Sequence, residues 1–101
     1  MEDDNAIAII SLKAHSAIFD QCNCALNACE DSHSMVFRTA LANNGLRIIS
    51  INEKTLEAYL CLSGVCSEPQ QALRANIHSA ISGICASQIY FIPYHPWLES
   101  S

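Results

Sequence analysis

Ala6-Ile7-Ala8-Ile9-Ile10-Ser11-Leu12 is the stretch on which the fold of this 101-residue chain turns. Taken alone it suits a β-strand, because the β-branched Ile7, Ile9 and Ile10 fit a pleated surface. Followed toward the C-terminus, Ile7, Ile10, Ala14, Ile18, Cys22, Ala25 and Cys29 keep a period of about 3.6 residues. That is the signature of one long amphipathic helix, with Asp3 and Asp4 favourably placed at its positive dipole end. Continuity outweighs local composition in this reading, so the long helix is the expectation and a strand over 6–12 the alternative. A weak internal echo favours the strand: Ile9-Ile10-Ser11 and Cys22 recur as Ile48-Ile49-Ser50 and Cys61 at one constant offset. Either way the stretch is far shorter than the roughly 20 apolar residues that cross a bilayer.

Three further helices are signalled. Over 68–85, Ser67 and Gln70 make a capping box, Pro69 sits in the first turn, and Leu73, Ile77, Ala80, Ile81 and Ile84 recur at helical spacing. Gly83 should end this helix soon after it. Over 32–43, Asp31 or Ser32 is the cap, Val36, Phe37, Ala40 and Leu41 form the buried stripe, and Asn43-Asn44-Gly45 suits a left-handed ending. A shorter helix over 53–62 has Asn52 as cap and Leu56, Tyr59 and Leu60 as inward residues. Strands are expected at 46–51 and 88–92, both short, β-branched and bracketed by turn residues, and they are expected to pair. The expected fold is therefore α+β and mostly helical: a single domain over 1–101 with about four helices and a small two- or three-stranded sheet. An extended aromatic and proline-rich tail covers 93–101.

Ten acidic against five basic residues give a net charge of −5, and Lys13, Arg38, Arg47, Lys54 and Arg74 are scattered singly. Such a surface repels nucleic acid. The start Met1-Glu2-Asp3-Asp4 is the reverse of a secretory signal, which needs a basic region ahead of an apolar one. A cytoplasmic setting, with six reduced cysteines, is the expectation.

Metal chemistry would need thiolates and imidazoles that converge. Cys61 and Cys66 could do so across Gly64, and Cys29 could approach His33, while Cys22 and Cys24 would diverge on a helix. The ordinary fate of free cysteine is as a small core hydrophobe, and Cys22, Cys29, Cys61 and Cys85 are read that way. For a reactive thiol, Cys66 comes closest, but Glu68 opposes thiolate formation and neither Cys66 nor Cys24 has a basic neighbour in sequence. His15 and His78 fall on polar helix faces, no Gly-x-Ser-x-Gly elbow is present, and the glycines stand singly. Nothing argues for an enzyme, and no cofactor or metal is expected.

Residues 90–98 crowd together Tyr90, Phe91, Tyr94 and Trp97 with Pro93 and Pro96. The prolines force an extended course from which Tyr94, Trp97 and Leu98 project, either onto the chain's own core or toward a partner. The function these features suggest is a small acidic, non-enzymatic protein-binding module: a regulator, inhibitor, adaptor or chaperone. Its partner would present a basic or apolar patch. A cysteine-based metal or redox sensor is the alternative. High apolar content in so small a domain also implies a homodimer, with Ile7, Ile10, Ala14 and Ile18 of the N-terminal helix and Tyr94, Trp97 and Leu98 of the tail as its interface.

Overall fold

The computed structural model describes residues 6–27, 29–30, 32–63 and 69–93. Along the chain run β1 (Ala6–Ser11), α1 (Ser16–Leu26), α2 (Ser32–Asn43), β2 (Leu46–Asn52), β3 (Glu57–Leu62), α3 (Pro69–Ala80), a 3₁₀ turn (Ala86–Gln88) and β4 (Ile89–Pro93). The fold is α+β, with three α-helices and a four-stranded antiparallel sheet among the described residues. It is less helical, and richer in strand, than the periodicities suggested.

The long N-terminal helix is the first correction. Residues 6–11 are a strand, Lys13 and Ala14 turn the chain, and the helix begins only at Ser16. The turn is closed by the His15 amide on the Leu12 carbonyl at 2.9 Å. β1 pairs on both sides, Ile9 lying opposite Tyr59 of β3 and opposite Tyr90 of β4. A strand paired at both edges and buried on both faces has no polar side to betray its two-residue period. Ile7 and Ile10 therefore fall in step with the helical spacing of α1 while lying on opposite faces of the sheet. The echo at residues 48–50 does not mark a structural repeat, because Cys22 is on a helix and Cys61 on a strand.

The helix over 53–62 is the second correction. Asn52 does cap as read, its side-chain oxygen accepting from the Lys54 and Thr55 amides at 3.0 and 3.2 Å. Only one turn follows, because Leu56 takes a left-handed conformation at φ 55° and sends the chain back as β3. Leu56 and Leu60 stand one helical turn apart, but the pattern that wins is alternation: Ala58, Leu60 and Leu62 face the helices, Tyr59 and Cys61 the other side.

The sheet order is β2-β3-β1-β4. β2 and β4 thus lie at opposite edges and do not pair with each other, contrary to expectation; β2 pairs with β3, which was not foreseen, and β4 with β1, the strand held as the alternative over 6–12. β3 lies between β1 and β2, and β1 lies between β3 and β4, so two split β-α-β units interlock in the ferredoxin-like manner. α1 and α2 pack together over β2, and α3 packs on β1, β2 and β3. The main core lies between this helical layer and the sheet, joining Phe19, Cys22, Phe37, Leu41, Leu73 and Ile77 to Ala8, Ile10, Leu60 and Ile89.

α2 has the expected bounds, and Phe37 and Leu41 of the expected stripe are buried, but Val36 is not. Val36 is 71% exposed, and the buried positions are Ser34, Phe37 and Leu41. Ser34 takes the inward place because its hydroxyl donates to the Cys29 carbonyl at 3.1 Å, satisfying a polar group that burial would otherwise penalise. The helix ends as read: Gly45 adopts φ 66° and its amide bonds the Ala42 carbonyl at 3.0 Å. α3 stops at Ala80, earlier than expected, and Gly83 at φ 89° lies in the following turn. Ile81 and Ile84 are nevertheless buried in the main core, so their spacing reflects the core rather than helix length. Ser67 and the 94–101 tail lie outside the described residues.

Candidate functional site

Among the described residues, the helices cover one face of the sheet only. On the other, Ile7, Ile49 and Cys61 form a second buried cluster, against which Tyr59 and Ile92 pack. Alternation along each strand puts these side chains there, assisted by a bulge in β2. Ile48 is opposite Leu60 and Ser50 opposite Tyr59, leaving Ile49 unmatched. The extra residue lets Ile48 and Ile51 both join the main core while Ile49 joins the second cluster. Ile7 and Ile92 are directly paired across β1 and β4.

Beside this cluster runs a cross-strand row, Tyr59–Ile9–Tyr90, set by the pairing of Ile9 with both tyrosines. Its outer member, Tyr90 on edge strand β4, is 52% exposed. Directly opposed aromatic and β-branched side chains stabilise a sheet by roughly 0.2–1 kcal/mol per pair. They also make a rigid apolar surface with two phenolic groups for hydrogen bonding. Sequence reading missed Ile9, Ile49, Tyr59 and Ile92 as a group. The signal that could have found them was the alternation in Glu57-Ala58-Tyr59-Leu60-Cys61-Leu62, masked by the Asn52 cap.

Of the interface residues named from sequence, the four read as one helical stripe, Ile7, Ile10, Ala14 and Ile18, do not share one. Ile7 is buried on the helix-free face, Ile10 is buried in the main core, Ala14 is exposed in the β1–α1 turn, and Ile18 packs from α1 against the main core. Tyr94, Trp97 and Leu98 lie outside the described residues.

The cysteines separate by burial. Cys22 sits in the main core, where burial pushes its thiol up from 9.0 to about 12, so it stays protonated. Cys61 is buried on the opposite face, while Cys24 and Cys29 are half-buried. Cys85 was read as a core residue, but it is exposed. It precedes the 3₁₀ turn, where its amide donates to the Gln88 side chain at 2.8 Å and its carbonyl accepts from the Gln88 amide at 2.9 Å. Among the described residues, no group of three or more His, Cys, Asp or Glu side chains is placed to hold a metal ion. Cys66 and His95 lie outside them. His33 and His78 are exposed on α2 and α3, and His15 stands at the start of α1. No helix among the described residues is long and apolar enough to cross a membrane. Compared with protein-family models, curated proteins and solved structures, the chain matches none.

Proposed function

We propose that this chain is a small, acidic, non-enzymatic protein-binding module of the cytoplasm, a regulator, inhibitor, adaptor or chaperone, whose binding surface is the helix-free face of its sheet. The observation that carries the reading is the Tyr59–Ile9–Tyr90 row, apolar and aromatic, with its outer tyrosine half in solvent. Tyrosine contributes large, stiff contact area at low entropic cost and is enriched among residues that dominate binding energy. The excess of ten acidic over five basic residues selects a partner with a basic or apolar patch and opposes nucleic acid. Without that partner, the same face closes on a second copy about a two-fold axis, giving a homodimer.

Affinity purification from the native lysate, run in parallel with wild type and Tyr90→Ser, tests this. A stoichiometric protein retained by wild type and lost by the variant, with unchanged circular dichroism, is the expected result. Equal retention by both, or turnover of a small molecule with no stoichiometric partner, would overturn it. Sedimentation of the purified pair tests the dimer separately, since a wild-type monomer of 11.0 kDa at tens of micromolar contradicts it.

A further inference from the structure

The second cluster is more deeply buried than its own strands account for. Ile7 is 0% exposed, Cys61 7% and Ile49 9%, a core-like seclusion on the face of the sheet opposite the helices. Side chains stand roughly perpendicular to a sheet, so cross-strand neighbours shield their flanks and leave the tips in water unless another layer lies above. The seclusion also has a direction. It deepens from exposed Tyr90 to half-buried Ile92 along β4, from half-buried Ile9 to buried Ile7 along β1, and from half-buried Tyr59 to buried Cys61 along β3. All three gradients point to the end of the sheet where Ala6 pairs with Pro93 and β4 finishes.

Three stretches outside the described residues adjoin that end, and their chemistry separates them. Residues 1–5 include Glu2, Asp3 and Asp4, whose carboxylates would lose hydration over an apolar cluster. Residues 64–68 lead from β3 to α3, which packs on the helical side. Residues 94–101 follow directly on Pro93 and carry Tyr94, Trp97 and Leu98, the apolar and aromatic material such a cover needs. Their reach is sufficient. β3 lies two strand spacings from β4, about 10 Å. With Pro93 and Pro96 favouring an extended course, the chain from Pro93 to Trp97 spans about 12 Å.

We propose that residues 94–101 cross the helix-free face of their own sheet as a strap, with Trp97 seated over Ile7, Ile49 and Cys61. The strap closes one end of that face and leaves the other, at Tyr90, in solvent. It does not depend on the protein-binding reading, which rests on the Tyr59–Ile9–Tyr90 row at the open end.

Iodoacetamide labelling of the native full chain, read residue by residue by peptide mass spectrometry, tests the strap in wild type and Trp97→Ser. In wild type Cys61 should label as slowly as core Cys22, and exposed Cys85 fast. In Trp97→Ser, Cys61 should label about tenfold faster or more, with Cys22 and Cys85 unchanged. Wild-type protection of Cys61 should not vary with protein concentration. A second measurement needs no variant: nuclear Overhauser contacts from the indole of Trp97, the chain's single tryptophan, to the methyl groups of Ile7 and Ile49 are expected in wild type. If Trp97→Ser fails to fold, those contacts decide. Cys61 equally protected in a folded Trp97→Ser, protection lost on dilution, which would make a second copy the cover, or absence of the indole contacts would each overturn the proposal.

Discussion

Ile10→Ala separates the strand reading of the N-terminal segment from the helical one by a measurable margin. Ile10 is fully buried on the helix-facing side of β1, among the side chains that join the sheet to α1, α2 and α3. β1 is held by β3 on one side and β4 on the other, with Ile10 itself opposite Ala58 and Ile89, so its backbone cannot move in to fill a void. The upper part of the range for large-to-small core changes therefore applies, about 3–5 kcal/mol. Against the roughly 5–15 kcal/mol that holds a domain of this size together, such a loss lowers the melting temperature by roughly 10–30 °C. Ala14→Asp is the control. In the β1–α1 turn Ala14 is exposed and the change should stay within about 0.5 kcal/mol, whereas on a continuous helical stripe Ala14 would share the fate of Ile10. Urea unfolding followed by circular dichroism reports both, with the midpoint shifting at constant slope. A loss below about 1 kcal/mol for Ile10→Ala, or comparable losses for the two variants, would refute the reasoning.

Burial of the Cys22 thiol makes stability fall in alkali. With its pKa raised from 9.0 to about 12, the unfolded chain sheds a proton above pH 9 that the folded chain retains. This contribution is whole below pH 9.0 and declines by about 1.4 kcal/mol per pH unit as pH rises toward 12, a slope that Cys22→Ala should lack in urea melts. In α2, Phe37→Ala should cost about 3–5 kcal/mol by emptying a core position, while Val36→Ala, one residue away but in solvent, should be neutral or slightly stabilising because alanine is the better helix former; thermal melts distinguish them. Gly83→Ala should cost about 1–2 kcal/mol in the same assay, although a methyl group there meets nothing within 4 Å, because φ 89° is unfavourable for any side chain.

Legibility in the sequence followed the number of buried faces an element has. α2 and the two edge strands β2 and β4 were found within a residue at each end, because caps, turn residues and β-branched runs mark their limits. The central strands β1 and β3 both carry helical spacing in the sequence, β1 with a strand over 6–12 as the alternative. β1 is apolar on both faces, and Leu56, Tyr59 and Leu60 satisfy a helical spacing that a left-handed Leu56 interrupts. Which residue of an apolar pair is inward was equally hidden: Val36 and Phe37 are adjacent and both apolar, and only the docking of α2 sends Phe37 in and Val36 out.

The candidate sites were less legible still, because each is a property of register rather than of any one element. Tyr59, Ile9 and Tyr90 come from three strands, and sequence ranks them no higher than other apolar residues until β1 is placed between β3 and β4. The bulge in β2 has a similar effect over a shorter span. In a regular strand Leu46, Ile48 and Ser50 would point one way and Arg47, Ile49 and Ile51 the other, sending a hydroxyl into the core and an isoleucine out of it. With Ile49 unmatched, the polar residue is spared the core and Ile51 is recovered for it. One unpaired residue thus supplies the main core with Ile51 and the helix-free face with Ile49. That face is consequently built from the same hydrophobic material as a core, and its outer tyrosine remains open for contact.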